Sequence, residues 1–284
     1  MELKPNPFSV YDFLGYFVPG ASIVYGAIVV YGYTQAGTAP LDSIHSVFAG
    51  SRPELYIPFV IVSYVIGHLA SFLSSISIER YSVWRHGYPS KYLLGQTSDS
   101  YWEKGKSSLF NIGRIMVGII LAPISLPDVV VSLTSNGQRL YARPLDPFLI
   151  NVIKHKTQQV LQKLNLKEEV EPPKKSDDSF RVLYHFAVEH AENHYPKMQN
   201  YVALYGFLRT TTFLLVSAFW ILTWYLLTNY SRIGQRLGLI LVSIILCNIS
   251  YAAFLKFYRR FSLEAFMAVS TTHYDDEGDS RIHK

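Results

Sequence analysis

The sequence predicts an α-helical integral membrane protein with four transmembrane helices and a mixed α/β cytoplasmic domain between the second and third. Three observations support this fold class. Two long apolar segments lie near the N-terminus, two lie near the C-terminus, and a basic block separates the pairs. Only 17% of all residues are charged, against about 25% in ordinary soluble domains.

Each of the four apolar segments is long enough to cross a membrane. A helix rises about 1.5 Å per residue, so about 20 residues cross a hydrocarbon core of about 30 Å. The segments are residues 13–33, 56–78, 210–230 and 237–255. A cleaved signal peptide is the disfavoured alternative for the first one. Pro19 and Gly20 interrupt it, only Lys4 precedes it, and three spans would remain unexplained.

The distribution of Lys and Arg predicts the orientation, because short translocated loops tend to lack these residues. Residues 34–55 contain only Arg52, whereas residues 80–197 contain sixteen Lys or Arg. Both termini and the central block are therefore expected in the cytoplasm, although Arg232 and Arg236 between the last two spans weaken the asymmetry. The single cysteine, Cys247, excludes an internal disulfide.

These features divide the chain into four parts. Residues 1–80 form the first helix pair, 81–200 the basic cytoplasmic domain, 201–260 the second helix pair and 261–284 a polar cytoplasmic tail. Residues 115–133 are nearly as apolar as a span, but two prolines and an uncompensated Asp128 argue against a crossing. We expect a short helix there, then a strand at 129–133 and a hairpin turn at Asn136-Gly137 with residues 138–142 returning.

Two further helices are predicted in the central domain. Asp146-Pro147 has the residues of a helix start, and the helix should run to about Leu164. The polar, proline-containing segment 165–179 reads as a linker. A second helix starts near Ser179 and continues toward the third span, with Pro196 as a break or kink.

The second span carries a polar stripe at helical spacing, formed by Tyr64, His68, Ser71, Ser75 and Glu79. An ionisable residue at membrane depth is a candidate for function. Three interpretations remain open, namely a helix packing seam, a water-lined pore and a proton relay.

Arg209 begins the third span, at the depth expected for the end of the second. It either reaches the headgroups or pairs with Glu79. In the fourth span, Ser243, Asn248 and Ser250 are expected to hold helices together.

Residues 80–163 contain eleven Lys or Arg against four Asp or Glu. Such an excess attracts anionic lipid, nucleotides or nucleic acid, although the orientation rule alone also accounts for it. The candidate ligand-binding residues share positive charge and a place in or beside this region: Arg80, Arg85, Lys91, Lys104, Lys106, Arg114, Arg139 and Arg143.

No enzyme motif and no cofactor site is predicted. The chain lacks a phosphate-binding loop, a nucleophile elbow and a dinucleotide glycine pattern. His190 and His194 have the one-turn spacing that a metal site uses, but they do not form the zinc-hydrolase motif, and a solvated helix face is the preferred reading.

Four segments together resemble a set of bacterial inner-membrane proteins. They are NPFSVYDFLGYFVPG at residues 6–20, GHLASFLSS at 67–75, YGFLRT at 205–210 and FYRRFSLEAF at 257–266. Some proteins of this set resemble membrane effectors of antiphage defence, such as the Hailong-type channel effector. The resemblance implies a homo-oligomeric, tetrameric ion channel in the bacterial inner membrane. It also implies depolarisation controlled by a nucleotide or oligonucleotide that a partner enzyme makes.

Three functions compete at this point. The first is a channel or pore effector in which oligomerisation brings copies of His68 together. The second is a non-conducting membrane scaffold that recruits a cytoplasmic partner or a nucleic-acid-binding protein. The third and weakest is a lipid-modifying enzyme centred on His68 or on the histidines near His190.

Overall fold

The structure is a computed structural model that describes residues 12–36, 42, 45, 53–96, 108–134, 142–163, 179–228 and 233–271. It is about 92% helical, and no strand occurs within these ranges. The helices are numbered in chain order: α1 Val18–Ala36, α2 Pro53–Ser74, α3 Arg80–His86, α4 Pro89–Tyr92, α5 Ser108–Ile120, α6 Ala122–Thr134, α7 Pro147–Lys163, α8 Ser179–His190, α9 Tyr195–Thr228 and α10 Ile233–Thr271.

Four helical stretches are long and apolar enough to cross a membrane: Phe13–Gly32, Tyr56–Tyr92, Tyr195–Thr228 and Leu237–Thr271. They confirm the four predicted spans, and the chain is a multi-pass membrane protein. Three of them continue well past the apolar segment. Helix α10, for example, runs beyond residue 260, where the polar tail was expected to begin.

Helices α1 and α2 pack with their backbones in direct contact. A Cβ atom built on Gly20 would overlap the carbonyl of Ser63, and one built on Gly67 would overlap the carbonyl of Tyr16. Small residues at such crossings let membrane helices approach closely. These two glycines therefore set the distance between the first two spans.

Helices α9 and α10 form the most extensive helix pair and run antiparallel. Their buried core contains Val216, Cys247, Tyr251 and Phe254, and Ile78 from the end of the second span packs into it. A π-helical turn, Ser75–Glu79, connects α2 to α3 and brings that end of the second span against α9.

A second core lies where α10 ends. Helices α4, α7 and α8 pack there against the last turns of α10, and we call this assembly the cap layer. Its buried side chains include Ile153, Leu183, Phe266 and Val269. Apolar side chains therefore cover the end of α10 far beyond the fourth apolar segment.

The two predicted helices of the central domain are confirmed. Helix α7 begins at Pro147, and the carboxylate of Asp146 accepts a hydrogen bond from the backbone N–H of Phe148 at 2.9 Å. Helix α8 begins at Ser179 and ends at His190, and α9 starts anew at Tyr195 with Pro196 in its first turn. Leu164 and the predicted linker at 165–179 lie outside the described residues, except for Ser179, which begins α8.

The prediction for residues 115–133 was wrong in its strand. Residues 129–133 belong to α6, and the mixed α/β domain is replaced by helices throughout the part of the chain that the structure describes. The predicted turn at Asn136-Gly137 lies outside those residues. Residues 111–120 and 122–131 form two apolar helices that meet at 103°, as in a broken span or a re-entrant loop.

Candidate functional site

A polar clamp joins the second and third spans. The guanidinium of Arg209 donates from Nε to Ser74 Oγ at 3.1 Å and from Nη2 to Ser71 Oγ at 3.2 Å, and Nη1 forms an ion pair with the carboxylate of Glu79. The Arg209 side chain is only 12% exposed. Burial of a charge at this depth is tolerable because the opposite charge and several acceptors surround it.

Hydroxyl groups extend the clamp across three helices. Ser74 and Thr210 lie 3.3 Å apart, oxygen to oxygen, between α2 and α9. Thr212 donates to Ser250 at 2.9 Å between α9 and α10. Such pairs let membrane helices approach closely and add about 0.6 kcal/mol each on average. The clamp therefore connects both helix pairs of the protein.

The predicted polar stripe of the second span divides into two groups. Glu79 pairs with Arg209, as the pairing hypothesis expected, and Ser71 also contacts the Arg209 guanidinium. His68 and Tyr64 lie instead beside α1. Ser75 bonds within its own helix, where its hydroxyl donates to the Phe72 carbonyl at 2.7 Å.

His68 is part of an aromatic group on the outer surface of the chain. The Tyr16 ring stacks on the imidazole with 3.7 Å between centroids, and the Tyr64 ring meets it edge-on at 4.5 Å. The His68 side chain is nevertheless exposed. It lies about three turns, or about 16 Å, from Glu79 along the helix, which places it near the middle of the span.

The two helices α5 and α6 form a hairpin, and the middle of each helix contacts α3. The Arg114 guanidinium of α5 lies over the Trp84 ring at 5.3 Å. Asp128 of α6 accepts from Arg85 Nε at 2.7 Å and from the Tyr81 hydroxyl at 3.2 Å. Asp128 was expected to lack compensation if this segment crossed the membrane as a lone helix; in the structure its partners come from α3, the helix that follows the second span.

The tip of this hairpin is fixed to the last two spans. The Trp220 indole donates to the Ile120 carbonyl at 2.7 Å, and the Asn248 amide donates to the Pro123 carbonyl at 2.9 Å. A break between helices leaves carbonyls that need donors inside a membrane. Trp220 lies about 16 Å along α9 from Arg209, so the tip lies deep in the bundle, while Arg114 and Asp128, halfway along the two helices, contact α3. The bend of 103° is that of a broken span or a re-entrant loop.

Few of these contacts could be predicted from the sequence. Asn248 was expected to hold helices together, and it does so toward Pro123. From the sequence alone, Trp220 cannot be distinguished from a tryptophan at the membrane interface. Pro123, Pro127 and Asp128 lie within an apolar segment and are the local sign of a broken helix there. A broken helix at membrane depth needs protein partners for its free backbone groups.

A basic pocket lies between α10 and the chain segment before α7. Its volume is about 620 Å³, and no acidic residue is among the described residues that line it. Arg259 donates from Nη2 to the Arg143 carbonyl at 3.5 Å, a long contact. The lining residues are Arg143, Ala252, Ala253, Leu255, Lys256, Arg259 and Arg260.

The predicted ligand-binding residues are therefore dispersed. Arg143 lines the basic pocket, Arg114 belongs to the hairpin, and Arg85 lies on α3, where it contacts Asp128 of the hairpin. Arg80 is exposed at the start of α3, and Lys91 is half-buried in α4. The remaining predicted residues lie outside the described ranges: Lys104, Lys106 and Arg139.

The histidines near His190 make separate contacts. His194 Nδ1 lies 2.8 Å from Glu264 Oε1, and His190 Nδ1 lies 3.0 Å from the Phe186 carbonyl. Among the residues described by the structure, no group of three or more His, Cys, Asp or Glu side chains is arranged to hold a metal ion. The contact between His194 and Glu264 therefore connects the start of α9 to α10 within the cap layer.

Comparison with known proteins adds no relative. No protein-family model matches the chain, and neither a curated protein nor a solved structure matches it.

Proposed function

We propose that the chain is the subunit of a homo-oligomeric ion channel or pore, controlled by an anionic ligand at the basic pocket. The observation that carries the proposal is the position of His68. It is an ionisable side chain at the middle of a span, and it is exposed on the outer surface of the single chain. Lipid is an expensive environment for such a group. A second copy of the chain or a water-filled path provides a better one.

The surrounding side chains fit a path shared between copies. Tyr16 and Tyr64 present hydroxyl-bearing rings beside His68, so the polar atoms on this surface are clustered. The remaining exposed side chains of α2 and of the π-helical turn after it include an apolar set that suits lipid or a helix of another copy: Ile57, Val60, Ile61, Val65, Leu69, Phe72, Leu73 and Ile76. We place the conduction path along the His68 side of α2.

Control by a ligand is supported by the continuity of α10. The pocket residues Lys256 and Arg259 lie on the same unbroken helix as Asn248, which holds the hairpin tip. If α10 can occupy two positions in the protein, a ligand with higher affinity for one of them would favour that position. The hairpin and the spans that contact α10 would shift with it. Four clustered cations suit a nucleotide or another polyphosphate.

The biological setting follows from the resemblance of the four segments to antiphage effectors. In that setting the protein lies in the bacterial inner membrane with the cap layer in the cytoplasm. A partner enzyme supplies the nucleotide or oligonucleotide, and conduction depolarises the infected cell. The expectation of a tetramer rests on the same resemblance.

A scaffold that conducts nothing is the second candidate. One observation favours it, namely that Phe148 at the start of α7 is 74% exposed on the outside of the cap layer. An exposed aromatic side chain there offers an anchor for a partner protein.

The test is the membrane potential of cells that express the chain, recorded with a voltage-sensitive dye. His68→Leu is compared with Phe72→Leu, which changes an exposed side chain one turn away without removing an ionisable group. We expect depolarisation by the native chain and by Phe72→Leu, and loss of depolarisation with His68→Leu at equal expression. An unchanged potential with the native chain, alone and with candidate nucleotides, would favour the scaffold.

A further inference from the structure

The basic pocket on α10 lies at the level of the membrane surface. The fourth apolar segment, residues 237–255, extends about 28 Å as a helix, close to the hydrocarbon core of about 30 Å. Lys256 follows this segment directly, and Arg260 lies about 6 Å further along the same unbroken helix. The headgroup layer adds about 5–8 Å on each side of the core. The pocket cations of α10 therefore lie at headgroup level.

The four cations of the pocket have no carboxylate partner. Arg143, Lys256, Arg259 and Arg260 line it, and none of them forms an ion pair with a residue that the structure describes. Arg259 is half-buried, and the other three side chains are exposed. Their positive charge is thus not offset by any described acidic side chain and is open to a ligand from outside.

The spacing of these cations on α10 carries an electrostatic cost. Arg259 and Arg260 lie three and four residues after Lys256, and like charges at this spacing repel on one helix face. Glu264 is the only acidic residue of α10, and its carboxylate lies 2.8 Å from His194 Nδ1 instead. The orientation rule explains Lys and Arg beside a span, but it does not require them to share one face. A bound anion would offset the repulsion.

The membrane side of the pocket is apolar. Ala252, Ala253 and Leu255 line it there and belong to the fourth apolar segment. Along α10 the pocket thus changes from apolar to cationic over about two turns. A phospholipid has the same order of groups, with acyl chains toward the core and a phosphate toward the surface. A free polyphosphate has no apolar part to place against the three apolar residues.

From this arrangement we propose that the resting occupant of the basic pocket is the headgroup of one anionic phospholipid. Its phosphodiester contacts the cations, and its acyl chains lie along the fourth span. Basic pockets between membrane helices suit anionic headgroups. The inference rests on the proposed function in one respect. The soluble polyphosphate that controls the channel uses the same cations, so it displaces the lipid when it binds.

The experiment is native mass spectrometry of the full chain, released from detergent that contains equal amounts of phosphatidylglycerol and phosphatidylcholine. The test variant is Lys256→Gln with Arg260→Gln, which removes two exposed cations from the pocket. The control is Lys154→Gln with Arg181→Gln, which removes one exposed lysine and one exposed arginine from α7 and α8, outside the pocket. Size-exclusion chromatography checks that both variants are monodisperse.

Two competitors distinguish the lipid from a free phosphate. Inorganic triphosphate represents the soluble ligand. Glycerol phosphate represents a headgroup without acyl chains and is added at the same concentration.

We expect one phosphatidylglycerol per chain, retained at least fivefold over phosphatidylcholine by the native chain and by the control. Each Lys or Arg near an anionic membrane surface strengthens binding about fivefold, so the test variant should lose this preference. Triphosphate should release the lipid from the native chain, whereas glycerol phosphate should leave it bound.

Four results would overturn the inference. They are equal retention of both lipids by the native chain, equal preference in the two double variants, a complex that holds lipid and triphosphate together, and release of the lipid by glycerol phosphate. The last result would assign the pocket to free phosphate.

The failure of this inference is distinguishable from the failure of the proposed function. A native chain that binds triphosphate but retains both lipids equally would overturn the lipid assignment and leave control by a soluble ligand intact. A lipid preference at the pocket that triphosphate abolishes, in a chain that does not change the membrane potential, would support the lipid assignment and remove the channel.

Discussion

Arg209 and Glu79 form an ion pair between the start of the third span and the end of the second. The two residues are far apart in sequence, and the pair is completed by Ser71 and Ser74 on α2. Because the guanidinium is largely buried, these partners offset the cost of removing its charge from water. The pair is thus the electrostatic connection between the two halves of the membrane domain.

Substitution of Arg209→Gln should destabilise the protein by about 3 kcal/mol, because it leaves the Glu79 carboxylate without its counter-charge in a partly buried place. For a chain of this size, the unfolding midpoint in detergent should fall by more than about 6 °C. Ser75→Ala is the control, since that hydroxyl bonds only to the preceding turn of its own helix. An Arg209→Gln midpoint equal to that of Ser75→Ala would show that the pair contributes no stability.

The close approach of α1 and α2 should be equally sensitive. Gly67→Leu places a side chain against the Tyr16 carbonyl and should prevent the two helices from packing. Gly26→Leu, on α1, is the matched control because nothing lies within 4 Å of a Cβ built there. We expect aggregation or loss of the monodisperse peak for Gly67→Leu only. Equal chromatograms for the two variants would contradict the packing of α1 on α2.

Much of the fold could be predicted because its causes are local. Apolar length identified the four spans, Asp146-Pro147 located the start of α7, and Pro196 explained why α8 and α9 are separate helices. Arg209 and Glu79 could also be paired, since both were expected at the same end of neighbouring spans.

The hairpin could not be predicted in the same way. The β-branched residues Val129, Val130 and Val131 favour a strand locally, but their segment is helical in the structure. Asp128 is stabilised by Arg85. The carbonyl of Ile120 accepts a hydrogen bond from Trp220, which lies a hundred residues further along the chain. These partners depend on tertiary contacts that no local pattern contains.

The division of the polar stripe has a similar cause. The π-helical turn Ser75–Glu79 changes the helical register between Ser71 and Glu79, so the regular four-residue spacing does not describe one straight face. The two groups also have different neighbours, Arg209 in one case and Tyr16 in the other. The spacing identified the polar residues without showing where each one points.

The hairpin tip should loosen when its indole donor is removed. Trp220→Phe keeps the ring and deletes the hydrogen bond to the Ile120 carbonyl. The loss of one such bond, about 0.6–1 kcal/mol, should speed amide hydrogen exchange at residues 119–125 about threefold to fivefold. Trp224→Phe, one turn further on the same helix and 71% exposed, is the control. Unchanged exchange in Trp220→Phe would show that the tip is held by other contacts.

The basic pocket should bind polyphosphates in a charge-dependent manner. The double substitution Lys256→Gln with Arg260→Gln removes two of its cations and should weaken binding of inorganic triphosphate at least tenfold in isothermal titration calorimetry at low salt. Lys154→Gln changes an exposed lysine of α7 that is not among the pocket residues and should leave the affinity unchanged. Equal affinities for the native chain and both variants would mean that triphosphate binding does not use this pocket.

Water should reach position 68 if the conduction path follows α2. The single native cysteine is buried, so Cys247→Ser provides a background without other thiols. In that background, His68→Cys should react with a charged, water-soluble thiol reagent at least tenfold faster than Leu69→Cys. Leu69 is 60% exposed on the single chain, but it points to a different side of the helix from His68. The thiolate attacks the reagent, and it forms in water and not in lipid, so the rate reports hydration rather than exposure alone. Equal, slow reaction at both positions in membranes would place His68 in a dry contact and remove the main support for a pore at this surface.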